Sequence, residues 1–374
     1  MTTPILLLAE AYGETEAQFG APLIGASGIE LIRMLSESGL LTLSPVDRDL
    51  LSHYYRTGNP RHLISLWDQH PEIARTNVFN RQPPDNNLAH FLGAKSTALP
   101  GYPILKLPPS RHKPAGNFVR AEFAPELDRL GDEILAHDPN LIVCLGNTAL
   151  WALTGETGVG RLRGTTLLST LTATGYKLLP TYHPAAILRS YDNRPVVIAD
   201  LRKARAESAF PDLRRPRREI YIEPSLDDVR DFLQTHCRNG SLISVDIETV
   251  GDRVTCIGFA PAGDLAIVIP FDDSRAANGS YWPDGRVEVA CWRLVKDLLE
   301  DPAVPKLFQN GAYDITFLWR SMKIRVRGAA EDTMLLHHAL QPEALKSLGF
   351  LGSIYASDLA WKGMHKAKGI KRND

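Results

Sequence analysis

Leu242-Ile243-Ser244-Val245-Asp246-Ile247-Glu248-Thr249 is an apolar, β-branched run ending in two carboxylates, and Asn310-Gly311-Ala312-Tyr313-Asp314 brings a third further along. The run reads as a strand. Side chains at i and i+2 of a strand leave the same face, so Asp246 and Glu248 point together. Asp314 falls in the helical pattern Tyr313 to Met322. Hard divalent cations prefer such oxygen ligands, and two held close together activate water and stabilise a leaving alkoxide. That chemistry suits cleavage of a phosphodiester.

Around this stretch, Leu242 to Asp246, Val254 to Phe259 and Leu265 to Ile269 follow one another with short turns, which suggests an antiparallel meander. Helical patterns cover Val287 to Leu299 and Asp332 to Leu340, with Asp332 as the residue that starts its helix. Upstream lies Pro211-Asp212-Leu213-Arg214-Arg215-Pro216-Arg217-Arg218, a poor helix or strand and hence a linker. It is either a solvated hinge or a contact to a phosphate backbone. Before it, strand-like Ile5 to Ala9, Leu141 to Leu145 and Tyr176 to Pro180 alternate with helical Thr148 to Leu153 and Ala185 to Arg189. That alternation implies a parallel sheet covered on both faces, with ligands beyond the carboxyl ends of its strands. The division expected is 1–210, a basic linker 211–218, and 219–374.

A chain of 374 residues is long enough for two domains, and a hydrophobic share of 44% with 23% charged residues is that of a soluble globular protein. The formal net charge of -1 shows no global basic excess, so any nucleic-acid contact must come from local sites. No apolar run is long enough for a bilayer and the start lacks a signal-peptide pattern, which points to the cytoplasm and away from membranes. Cys144, Cys237, Cys256 and Cys291 are far apart and form no CxxC, which reads as buried thiols.

Val245 to Thr249 resembles the first motif of the DnaQ-like, DEDD class of 3′→5′ exonucleases, and Lys306 to Leu318 resembles the second. Glu331-Asp332-Thr333-Met334-Leu335 is similar to the segment that follows in the proofreading domain of family A DNA polymerases. The resemblance implies a ribonuclease H-like α/β domain with a mixed sheet, in which Asp246, Glu248 and Asp314 hold two Mg²⁺ or Mn²⁺ ions. It gives Asn310 a role at the DNA end, whereas the residue type alone makes Asn310 a helix N-cap; both readings stand. The family's third motif, a Tyr or His followed by a last Asp, has no counterpart. Tyr355-Ala356-Ser357-Asp358 has the wrong spacing. The resemblance therefore implies an incomplete site, weak or inactive in this chain alone, with a DNA polymerase domain or subunit supplying the missing motif.

A second resemblance runs through the first part. Ala9-Glu10-Ala11-Tyr12-Gly13, Gly20 to Gly28, Thr76 to Pro84, Leu145 to Gly155 and Pro180 to Arg189 occur in the order of the uracil-DNA glycosylase superfamily, especially its iron–sulfur branch. The family flips a base from the duplex before breaking its glycosidic bond. The resemblance implies a three-layer α/β/α domain in which Glu10 positions water and stabilises the sugar cation, and His183 stabilises the departing base. Asn77 would read the base edge, with Tyr12 and Leu23 around it, while Gly25, Gly28 and Arg189 would face DNA. Read without the family, Glu10 caps a helix and His183 starts one. Ala9 replaces a family Gly, Leu23 stands where an aromatic residue stacks on the base, and Arg81 stands where a ligand Cys follows Asn77. No iron–sulfur cluster is expected. The expected protein is a phage-type DNA replication or repair factor that excises uracil or a modified pyrimidine, in a bacterial cytoplasm if phage-encoded. The alternative is the N-terminal piece or subunit of a family A DNA polymerase whose first domain reads DNA without cutting.

Overall fold

The apolar runs of the first part become strands β1 (Ile5–Ala11), β2 (Ile73–Phe79), β3 (Leu141–Leu145), β4 (Leu167–Leu168) and β5 (Lys177–Thr181). Their order is β2-β1-β3-β5-β4, with the first four parallel and β4 antiparallel at the edge. Alternation along β1 explains the layers. Ile5, Leu7 and Ala9 enter one core, and Leu6 and Leu8 enter another on the opposite face. Helices α1 (Ala26–Ser38), α4 (Pro184–Arg189) and α5 (Arg194–Glu207) cover the first face through Leu31, Leu35, Ile187 and Leu201. Helices α2 (Ala124–His137) and α3 (Asn147–Thr154) cover the second through Leu127, Leu130, Leu150 and Leu153. Each fully buried Leu stabilises the unit by about 1.5–3 kcal/mol. Parallel strands share one carboxyl end, and the chain leaves β1, β2, β3 and β5 there.

The second part forms β6 (Glu219–Ile222), β7 (Ile243–Val250), β8 (Arg253–Ala262), β9 (Leu265–Pro270), β10 (Lys306–Phe308) and β11 (Ala329–Asp332), in the order β11-β10-β7-β8-β9-β6. The meander β7-β8-β9 is antiparallel, and β6, β10 and β11 add in parallel. The sheet is mixed, as expected. In β7, Ile243, Val245 and Ile247 are buried against α6 (Leu226–His236) and α7 (Gly285–Glu300), while Ser244, Asp246 and Glu248 are exposed. Helices α8 (Gly311–Phe317), α9 (Thr333–Leu340) and α10 (Leu348–Tyr355) follow.

The structure, a computed structural model, describes residues 4–107 and 116–356. They divide into two compact units, one of residues 4–107, 116–214 and 349–356, the other of 215–348. Residues 349–356 are held in the first unit by a buried ion pair. Arg163 forks onto Asp200, with Nε donating to Oδ2 at 2.9 Å and Nη2 to Oδ1 at 2.5 Å. The Thr181 hydroxyl donates to Asp200 Oδ2 at 2.7 Å, and Arg163 Nη1 donates to Ser353 Oγ at 2.7 Å. All four cysteines are free thiols, and no helix among the described residues is long and apolar enough to cross a membrane.

Candidate functional site

A cleft of about 580 Å³ opens at the carboxyl ends of the parallel strands, and Glu10, Tyr12, Leu23, Asn77, His183 and Arg189 all line it. Asn77 lies near the end of β2, in register with Ala9 of β1. It is 2% exposed, and its Nδ2 has no hydrogen-bond partner. A buried amide left unpaired costs about 1–3 kcal/mol, so this donor is poised for an acceptor brought by a ligand.

His183 is the extended N-cap of α4, and its Nδ1 accepts a hydrogen bond from Ala185 N at 3.1 Å. An accepting Nδ1 puts the proton of the neutral ring on Nε2, which leaves Nε2–H as a donor. Burial lowers its pKa below the ordinary 6.5; the Glu10 carboxylate opposes this and the Arg189 charge adds to it. The ring is therefore neutral at pH 7. Starting a helix and facing the cleft are compatible, and His183 does both.

Glu10 also has two attachments. Its Oε1 accepts from Thr148 Oγ1 at 3.0 Å and from Thr148 N at 3.4 Å, at the start of α3. Gly146, at φ 94°, makes this approach possible: a Cβ there would lie 2.8 Å from Glu10 Oε1 and 3.1 Å from His183 Cβ.

Leu23 adopts a left-handed φ of 59°, which costs a non-glycine residue about 1–2 kcal/mol. Its carbonyl accepts from Trp67 Nε1 at 3.1 Å, and the neighbouring Pro22 carbonyl accepts from Arg75 Nε at 3.0 Å. These bonds hold the loop in that shape.

The two glycines read as DNA contacts have other duties. A Cβ on Gly28 would lie 2.0 Å from the Leu23 carbonyl oxygen, so this glycine is a close-packing position. The Gly25 amide donates to Glu16 Oε1 at 3.0 Å and is already used. Glu16, which no motif singled out, also lines the cleft and pins the loop that carries Leu23. Its partner lies nine residues away across a loop, so helix periodicity gives no sign of the pairing.

In the second unit Asp246 and Glu248 share the exposed face of β7. Asp314 is 5% exposed, and its Oδ1 accepts from Ile247 N at 3.2 Å. Burial first, then the Asp246 and Asp332 charges, raise its pKa to about 6 against the pull of that amide. Carboxylate oxygens suit Mg²⁺ or Mn²⁺. Even so, among the described residues no three His, Cys, Asp or Glu side chains stand close enough to hold a metal ion. Of the expected ligands, Asp246 and Glu248 share one face of β7, and Asp314 sets one oxygen on the amide of Ile247, the residue between them in the chain.

Of the two readings of Asn310, the capping one does not hold. The residue takes a left-handed φ of 63° ahead of α8, and its side chain makes no capping bond. Asp332 does that work: Oδ1 accepts from Met334 N at 2.8 Å and Asn310 N at 3.2 Å, and Oδ2 accepts from Gly311 N at 2.8 Å. One carboxylate caps both α8 and α9. Asp332→Ala is expected to cost about 1–2 kcal/mol, read as a lower denaturant midpoint, with less lost in Asp332→Asn. Ser357 and Asp358 lie outside the described residues.

Comparison with known proteins matches two families along the chain. Residues 1–214 match the uracil DNA glycosylase superfamily, and residues 225–370 match a 3′-5′ exonuclease family. A DNA polymerase of Bacillus phage SP01 is 24% identical over 241 residues, covering 58% of this chain and 25% of that protein. A type-4 uracil-DNA glycosylase of Thermotoga maritima is 24% identical over 212 residues, covering 55% of this chain and 78% of that protein. The chain thus spans about a quarter of the polymerase. RNase D of Escherichia coli, an exoribonuclease, is similar at 16% identity over 38% of this chain and 34% of its own, with a TM-score of 0.28. With its fold and cleft in the first unit, the chain belongs to the uracil DNA glycosylase superfamily, and a 3′-5′ exonuclease domain follows.

Proposed function

We propose that the first unit binds DNA, takes uracil or a related pyrimidine out of the stack and hydrolyses its glycosidic bond. The observation that carries this reading is the buried, unpartnered Asn77 amide in the cleft that Glu10 and His183 also line. Asn77 Nδ2 donates to a base carbonyl, and its amide oxygen accepts from the base N–H. As the C1′–N1 bond breaks, its electron pair leaves with the base. Neutral His183 donates Nε2–H to the resulting anion. Water bonds to C1′ beside the Glu10 carboxylate, which stabilises the sugar cation and takes the water's proton. The base is then protonated from solvent.

The test is a uracil-containing oligonucleotide incubated with the chain and then treated with alkali. Strand breaks at uracil that His183→Ala removes support excision. Retained DNA binding without breaks overturns it, and the unit is then a non-catalytic reader.

The second unit serves as the proofreading-type module of a family A polymerase, with the metal-completing residue supplied by a polymerase domain or subunit. Similarity to a phage DNA polymerase supports that context. By itself, the chain is expected to degrade a 3′ end with Mg²⁺ at a small fraction of a complete exonuclease's rate. Rapid Mg²⁺-dependent digestion abolished by Asp246→Ala contradicts this.

A further inference from the structure

Asn77 sits on the edge strand of its sheet. Among the described residues only β1 holds β2 by a ladder, so carbonyls on the open edge of β2 need another partner. Arg129 of α2 supplies it. Its Nη2 donates to Asn77 O at 2.8 Å and Val78 O at 3.0 Å. Its Nη1 reaches Thr76 Oγ1 at 3.3 Å and Glu133 Oε1 at 2.8 Å, and its Nε reaches Glu126 Oε2 at 3.2 Å. Glu126, one turn before Arg129 on the same helix face, continues the chain of contacts. It accepts from Asn80 N at 3.1 Å and from Arg81 Nε at 2.8 Å. The Arg81 carbonyl in turn accepts from Tyr12 N at 3.3 Å. One Glu126–Arg129 pair therefore grips residues 76–81 and connects the segment carrying Asn77 to the one carrying Tyr12, both of which line the cleft.

We infer that Arg129 and Glu126 are positioning residues for base recognition: they fix the backbone on which the Asn77 amide is aimed, together with the spacing from Asn77 to Tyr12. The inference rests on Asn77 reading a base, as proposed above. A guanidinium fork can serve two carbonyls, a hydroxyl and two carboxylates at once, and an ammonium cannot. The dependence should therefore fall on geometry more than on charge.

The test measures equilibrium binding of the full chain to single-stranded oligonucleotides that carry one non-cleavable 2′-fluoro-2′-deoxyuridine, against the same oligonucleotides with 2′-fluoro-2′-deoxycytidine. The wild-type chain is expected to prefer the uridine probe. Arg129→Lys and Glu126→Gln should narrow that preference by about tenfold, with affinity for the cytidine probe held within about twofold. Ser44→Ala, which removes a remote helix cap, is the control for lowered stability and should keep the full preference. Circular dichroism identifies the folded variants, and Glu126→Gln decides if Arg129→Lys does not fold. An unchanged preference in the folded variants overturns the inference, as does a parallel fall for both probes. A wild-type chain without preference overturns the base-reading proposal itself, and the inference with it.

Discussion

His183→Ala is expected to slow uracil release by about 10²–10³-fold, the usual loss when one preorganised donor to a developing anion is removed. The argument rests on the tautomer. Ala185 N occupies Nδ1, so the neutral ring presents Nε2–H as its one donor. The substitution also removes a helix cap, worth about 0.5–2 kcal/mol for the usual capping residues. His183→Asn separates the two effects: an Asn can keep the cap, so a rate that stays low in that variant reports the missing donor. The same ring sets a pH dependence. Its pKa in the folded chain lies below the ordinary 6.5, so the unfolded chain takes up a proton first as pH falls. The ring's contribution to stability is therefore complete above about pH 6.5 and shrinks below it. Protonation also sets Nδ1–H against the Ala185 amide. Stability and uracil release are both expected to fall on the acid side, and His183→Asn should flatten that limb in chemical unfolding measured against pH.

Asp200→Ala is expected to be the most damaging substitution for stability. Arg163 is 2% exposed and Asp200 fully buried, and the pair makes two further polar contacts, to Thr181 and Ser353, with the Lys203 charge also favouring the Asp200 carboxylate. Removing one partner strands a buried guanidinium, at a cost of about 3–5 kcal/mol. For a unit of this size the loss corresponds to a melting shift on the order of 10 °C. Because Arg163 also holds Ser353, proteolysis within residues 349–356 should accelerate in the variant. An unchanged melting temperature would mean that the pair contributes nothing over solvation of its separate charges.

Much of the fold is legible in the sequence because each strand carries a period that matches its surroundings. Ile243, Val245 and Ile247 alternate with Ser244, Asp246 and Glu248, and the structure buries the first set and exposes the second. Leu141 to Leu145 is apolar throughout because a parallel inner strand is covered on both faces. The cleft residues Glu10, Tyr12, Asn77 and His183 are legible through the family motifs they match, and the structure places them where the ends of the parallel strands converge. What the sequence hides are pairings over long separations. Arg129 finds the carbonyls of Asn77 and Val78 from another layer, and Glu16 finds the Gly25 amide around a loop. Asn310 has the composition of a cap, yet its side chain makes no capping bond and the Asp332 carboxylate, at the end of β11, accepts from the Gly311 amide. Gly28 reads as a DNA-facing glycine of the family, and close packing against the Leu23 carbonyl also demands a glycine there.

The exonuclease-like unit shows the limit of motif spacing in another way. The spacing of Asp246 and Glu248 places two carboxylates on one face, and the structure agrees. Spacing says nothing of where a third carboxylate settles, and Asp314 is buried with one oxygen on the Ile247 amide.

The most direct measurement is chromatographic and mass-spectrometric detection of free base released by the intact chain from single-stranded DNA containing one uracil, beside matched DNA with thymine or cytosine at that position. The expected result is stoichiometric release of uracil, little release of the other two bases, and loss of release in Asn77→Ala. Binding of the uracil-containing DNA with no base released, or release that Asn77→Ala leaves unchanged, would contradict the assignment of the cleft as a base-excising site.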